Sequence, residues 1–157
     1  MIKIYYKIIL YPLIDYNDNM VYQIYGCNYL DINNLISYCG LVIKEDNKIV
    51  ELISSNSKGD ILIWDFHSGL CLKNIHISNC FLFGICLWND EYSFVGCQDR
   101  SIQLVNLKTG SKTKHLYNHM NAVITVKKIF HPKYGECLIS QSNGHEPIKI
   151  WVNKKFL

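Results

Sequence analysis

His115 and His119 stand four residues apart, the spacing at which two rings could share a metal ion. That works on a helix, where such residues lie on one face, but not on a strand or turn, and no third ligand accompanies them. Asp60, Asp65, Asp90, Glu91 and Asp99 could in principle form an acid–base pair. All lie in or beside turns, where carboxylates cap the backbone or face water. There is no glycine-rich phosphate loop and no nucleophile elbow. No catalytic residue, cofactor or metal is therefore expected, and the chain reads as non-enzymatic.

Seven cysteines, Cys27, Cys39, Cys71, Cys80, Cys86, Cys97 and Cys137, are scattered without a Cys-x-x-Cys pair. An odd, unpatterned set suits a reducing compartment, and thiols within runs such as Gly84-Ile85-Cys86-Leu87 suit a core. The formal charge of +3 is too small for a dedicated polyanion binder. Arg100 is the only arginine, and bidentate phosphate or guanine contacts favour arginine, so nucleic acid is disfavoured as a partner. Met1 to Ile14 sets Lys3 and Lys7 ahead of an apolar run, yet Pro12 and tyrosines interrupt it and a cleavage site is missing. No stretch approaches the roughly 20 apolar residues of a membrane span. A cytoplasmic chain is expected, with the nucleus also compatible and no membrane partner.

The elements that carry these residues recur. Val21-Tyr22-Gln23-Ile24-Tyr25, Asp60-Ile61-Leu62-Ile63-Trp64, Ser101-Ile102-Gln103-Leu104-Val105 and Pro147-Ile148-Lys149-Ile150-Trp151 each alternate apolar and variable positions and end in a bulky residue. Their last residues repeat at about 40 positions, the length of one four-stranded propeller blade. Period-two alternation identifies strands. Each segment follows a turn of residues that tolerate tight backbone: Asn17-Asp18-Asn19, Ser57-Lys58-Gly59, Gln98-Asp99-Arg100 and Asn143-Gly144-His145. Another apolar strand precedes each turn, so the unit is a meander of antiparallel strands.

These residues resemble the WD-repeat propellers. Trp64-Asp65 matches the Trp-Asp dipeptide, Trp151 repeats it with Val152 for the acid, Asp99 matches the turn aspartate, and Asn118-His119 is similar to the Gly-His dipeptide. The resemblance runs from about Leu35 to Trp151. It implies an all-β fold, a partial WD-repeat β-propeller of about three to four four-stranded antiparallel blades, over approximately residues 1–32, 33–74, 75–115 and 116–157. It further implies that Trp64, Asp65, Asp99, His119 and Trp151 are structural repeat positions, and that an N-terminal strand such as Ile2 to Ile9 could complete the last blade. In the family a buried His, Ser or Thr, Asp and Trp bond to one another. In the fourth unit His119, Ser140 or Ser142 and Trp151 match, with His145 at the acid's place. The third keeps Asp99 but has Val105 for Trp, and the second keeps Trp64 with Lys58 at the acid's place.

The repeats are fewer than a closed ring of the family uses. An uncovered blade face of ~400 Å² would forgo ~10 kcal/mol of apolar burial, as much as a whole domain's net stability. The expectation is a fragment of a longer propeller, or a subunit whose ring is completed by further blades. The family's partner-binding end implies Ser57, Gln98, Arg100 and Asn121 as contacts with other proteins. An RNA- or chromatin-associated adaptor is the alternative reading. Trp88, beside Asn89 and Asp90, is expected outside the core, packed on a neighbouring loop.

Overall fold

Alternation along the chain becomes antiparallel pairing between each strand and its sequence neighbour. The structure, a computed structural model, describes residues 6–14, 20–28, 37–45 and 48–152, with side chains over 51–152. Strands β1 (Tyr6–Ile14) and β2 (Met20–Asn28) form one sheet. A second sheet holds β3 (Ser37–Glu45), β4 (Lys48–Asn56), β5 (Asp60–Asp65) and β6 (Cys71–His76). The third holds β7 (Leu82–Leu87), β8 (Tyr92–Cys97), β9 (Ser101–Asn106) and β10 (Lys112–Tyr117). The fourth holds β11 (Val123–His131), β12 (Gly135–Ser142) and β13 (Lys149–Val152). Because β1 pairs with β2, Tyr6 to Ile9 belong to the first sheet and do not extend β13. Ile2 to Tyr5 lie outside the described residues.

Burial follows position in the sheet. Every residue of β9 is buried, and β5 is buried over Ile61 to Trp64, as interior strands covered on both faces must be. The outer strands β6 and β10 alternate toward water. Two shared cores result. Ile53, Ile61 and Ile63 of the second sheet meet Ile85, Val95 and Val105 of the third. On the opposite face of the third sheet, Phe94, Ile102 and Leu104 meet Val123, Val126 and Leu138 of the fourth. Successive side chains of β8 and β9 thus serve alternate neighbours.

Trp88 corrects the sequence expectation: it is only 3% exposed and belongs to the core between the third and fourth sheets. Its ring meets Phe94 edge-on, with centroids 5.3 Å apart. Lys128 Nζ donates to the Trp88 carbonyl at 2.8 Å and lies 4.9 Å from the ring centroid. Hairpin polarity concealed this, because Asn89 and Asp90 are exposed while the ring beside them folds inward.

The turns between the third and fourth strands are built alike in two sheets. Asp65 Oδ1 accepts from Ser68 N at 2.6 Å, and Gly69 takes a left-handed φ of 68°. Asn106 Oδ1 accepts from Lys108 N at 2.9 Å and Thr109 N at 2.8 Å, with Gly110 at a φ of 76°. A short polar side chain reaching forward to backbone N–H groups is the local device in both.

Close approach of the third and fourth sheets depends on Gly84 and Gly96. A Cβ on Gly96 would lie 2.4 Å from the Val123 carbonyl oxygen, and one on Gly84 would lie 2.8 Å from that of Ile124. Both obstacles are backbone and cannot swing aside. Gly96→Ala is expected to cost about 1–3 kcal/mol by forcing β11 outward, read as a lowered urea midpoint. An unchanged midpoint would mean that the two sheets slide freely.

Candidate functional site

Polar groups taken out of water cannot be left unpaired, so a Trp packed into these sheets needs an acceptor for its N–H. In the fourth sheet Leu138 stands opposite Trp151, and Ser140, two residues on, reaches the indole. Trp151 Nε1 donates to Ser140 Oγ at 2.7 Å. Ser140 Oγ lies 2.7 Å from His119 Nε2, and His119 Nδ1 lies 3.1 Å from Glu146 Oε2. A carboxylate only accepts, so Nδ1 carries the proton toward Glu146, and Nε2 and the serine hydroxyl share the other bond. Glu146 Oε2 also accepts from Met120 N at 3.1 Å and from the Ser142 hydroxyl. Lys149 Nζ pairs with Oε1 at 2.5 Å. Lys149, Ser142 and His119 hold the Glu146 carboxyl well below the ordinary carboxylate range.

Glu146 is the acid of this network, one residue beyond His145, where counting back from Trp151 had put it. His145 is exposed. The turn from β12 to β13 runs through Asn143, Gly144, His145, Glu146 and Pro147 before β13 begins at Lys149, longer than its counterparts. A long turn swings a carboxylate inward from a position that fixed spacing does not reach. The strand signal preceding Trp151 hid it, but a carboxylate three residues before Lys149 was the available clue.

The second sheet keeps a smaller version. Trp64, 2% exposed, donates through Nε1 to Ser54 Oγ at 2.9 Å. Asp60 bonds Asn56 Nδ2 at 3.2 Å and His76 Nδ1 at 2.8 Å at the surface. The Asp60 carboxylate, then Asn79, raises the His76 pKa above its ordinary value. In the third sheet Val95 and Val105 take the places of the serine and tryptophan. Asp99 there caps its own turn, accepting from Ser101 N at 3.0 Å and Ser101 Oγ at 2.5 Å.

His119 is thus committed within its sheet, and His115 is exposed and stacked on Tyr117. Among the described residues no group of three His, Cys, Asp or Glu side chains could hold a metal. Glu91 pairs with Lys108 at 2.7 Å, and Asp65 serves Ser68, whose hydroxyl bond lowers its pKa. Cys86, Cys97 and Cys137 are free and buried, and burial pushes the Cys97 thiol up to about 12. Such thiols are packing groups, not nucleophiles.

The residues assigned to partner contact gather at one end of the sheets. Backbone bonds tie the turns there to the links between sheets: Ile77 N to Gly59 O at 2.9 Å, Gln98 N to Phe81 O at 2.9 Å, and Asn143 N to Ala122 O at 2.9 Å. On this tied backbone Gln98, Arg100 and Asn121 are exposed and Ser57 is half-buried. Gln98 Oε1 accepts from Phe81 N at 3.4 Å.

Solved structures share this architecture. One, described as the structure of U3-55K, superposes with a TM-score of 0.58 at 17% identity, covering 73% of this chain and 33% of that one. Another, the crystal structure of RRP9 WD40 repeats, gives 0.57 at 18% identity, covering 72% of this chain and 32% of that one. The chain therefore has the fold of a partial WD-repeat propeller and spans about a third of each of these structures. No protein-family model matches it, and no curated protein matches it in sequence.

Two outcomes follow from the network. Ser140→Ala strands both the Trp151 N–H and His119 Nε2 and is expected to cost about 1–3 kcal/mol, whereas Ser54→Ala strands Trp64 alone and should cost less; urea midpoints of both variants compare them. For pH, a lowered carboxyl pKa adds stability that is full above the unfolded value of 4.5 and fades as pH falls toward the folded value. The stability gap between wild type and Glu146→Gln should therefore narrow below pH 4.5. A gap that stays constant into acid would place the charge of Glu146 outside the stability of the fold.

Proposed function

We infer that the chain is a non-catalytic, protein-binding scaffold, its sheets acting as blades over residues 1–32, 33–74, 75–115 and 116–157 of one partial propeller domain. The observation that carries this reading is the contrast at the turn-bearing end. Ser57, Arg100 and Asn121 make no side-chain hydrogen bond among the described residues, although the backbone beneath them is held by turn-to-link bonds. Polar groups free to bond, on a backbone that need not be ordered first, favour a partner.

A second part of the reading concerns the ring. On the fourth sheet, register places Ile139 opposite Ile150 and Cys137 opposite Val152, on the face turned away from the third sheet. Ile150 is 55% exposed and Val152 40%. The equivalent faces of the second and third sheets are cores. This supports coverage by a further blade, from a longer chain or another subunit. Free thiols agree with a reducing cytoplasm or nucleus.

Light scattering on the purified chain is expected to show self-association, and a monomer that unfolds cooperatively would remove the ring half of the reading. Capture of cellular proteins should survive raised salt and fall in a Gln98→Ala, Asn121→Ala double variant. Capture lost steeply with salt and ribonuclease would favour the RNA-associated adaptor instead.

A further inference from the structure

Three turns at the partner-binding end reverse the chain between the second and third strands of their sheets, and each uses the left-handed backbone. The turn before β5 does so at Gly59, with φ 85°, and the turn before β13 at Gly144, with φ 85°. The turn before β9 uses Arg100, with φ 73°. Arg100 is the one non-glycine residue at positive φ among the described residues, and the only arginine of the chain. A Cβ crowds the backbone there, which is why glycine fills such positions.

Space does not require the arginine, and neither does a local bond. Gly59 is obligatory, since a Cβ on it would meet the Ser78 carbonyl oxygen at 1.6 Å. Arg100 is exposed, and its guanidinium makes no hydrogen bond or ion pair among the described residues. The adjacent Asp99 carboxylate turns to Ser101 instead. An unfavourable backbone conformation kept for a side chain without an internal partner is the mark of an external one.

The surroundings indicate what that partner brings. Gln98 lies in the same turn and bonds the backbone of Phe81, whose side chain is 42% exposed. At the same end Asp60 and Glu146 already hold His76 and Lys149. What remains at this turn is the amide of Gln98 and, on the link bonded to it, the exposed ring of Phe81, the Asp99 carboxylate being engaged by Ser101. A phosphate backbone needs a row of cations, whereas one planar guanidinium suits one carboxylate, which it grips through two parallel N–H bonds.

We propose that Arg100 is the specificity-determining contact of this end, taking an Asp or Glu side chain of an acidic protein segment while Phe81 receives an apolar neighbour. This rests on the protein-binding reading above.

The test is an array of short synthetic peptides with a central Asp or Glu among varied apolar residues, each paired with its Asn or Gln twin. Wild-type chain should retain a subset and bind the amide twins about tenfold more weakly. Arg100→Gly should lose about tenfold on that subset, while its Tm stays level or rises by up to about 3 °C as the strain is relieved. Arg100→Lys, lacking the fork, should fall between the two. No preference for carboxylate over amide overturns the proposal, as does an Arg100→Gly variant within about twofold of wild type. A marked drop in the Tm of Arg100→Gly also overturns it, by making the arginine structural. Peptides held regardless of carboxylate but lost in Gln98→Ala or Asn121→Ala leave the scaffold reading standing and sink the role of Arg100. Binding of single-stranded oligouridine that needs Arg100 and fades steeply with salt overturns it in favour of a nucleic-acid partner.

Discussion

Everything in this chain depends on sheets burying their faces against one another. An antiparallel sheet of short strands cannot shelter both faces alone, and β5 and β9 carry large apolar residues on both. Each fully buried Ile, Leu or Phe is worth about 1.5–3 kcal/mol, against a net 0.5–1.5 kcal/mol or so for a hydrogen bond such as that from Trp64 to Ser54. Stacking therefore supplies the stability. The Trp, Ser and His bonds satisfy the polar atoms that stacking buries and fix the strands in register.

The third sheet shows that order of importance. It lies between two cores, yet it has neither tryptophan nor serine at the linked positions. Val95 and Val105 replace both partners, which is close to neutral in itself because neither position then carries a polar side-chain atom to satisfy. The polar residues have moved one step in the alternation: Ser93 stands where Leu52 and Leu138 stand, opposite Val105 as they are opposite the tryptophans. Ser93 Oγ and Gln103 Oε1 are buried side-chain atoms without a hydrogen-bond partner. The sheet tolerates that cost, which an apolar core of this extent can absorb.

Much of the architecture was legible because a repeat of about 40 residues amplifies weak signals. One alternating segment could be a strand of any fold, but four in the same phase, each after a turn-forming tripeptide, imply stacked meanders. Trp64 stood out by its type and its place in the repeat, but Ser54, which accepts its indole N–H, did not. Reading failed where the backbone departs from the repeat. Glu146 sits in a turn lengthened relative to the others, so fixed spacing landed on His145. Trp88 sits between polar hairpin neighbours, and local polarity says nothing about a ring that folds back beneath its own strand. Both misses are tertiary effects on local rules.

Tied backbone and displayed side chains are divided at the turn-bearing end, and the proposed scaffold role rests on that division. Bonds such as Gln98 N to Phe81 O and Asn143 N to Ala122 O consume backbone groups and leave side chains out of the account. Exposed side chains that bond none of this backbone, such as those of Arg100 and Asn121, can change without removing a bond that holds the turn. Sequence at this end is therefore free to answer to a partner, while Ser140, His119 and Glu146 beneath it answer to the fold. Arg100 is the place where the two demands conflict, because its backbone conformation favours glycine and its side chain makes no hydrogen bond or ion pair among the described residues. The proposed carboxylate partner is what would resolve that conflict.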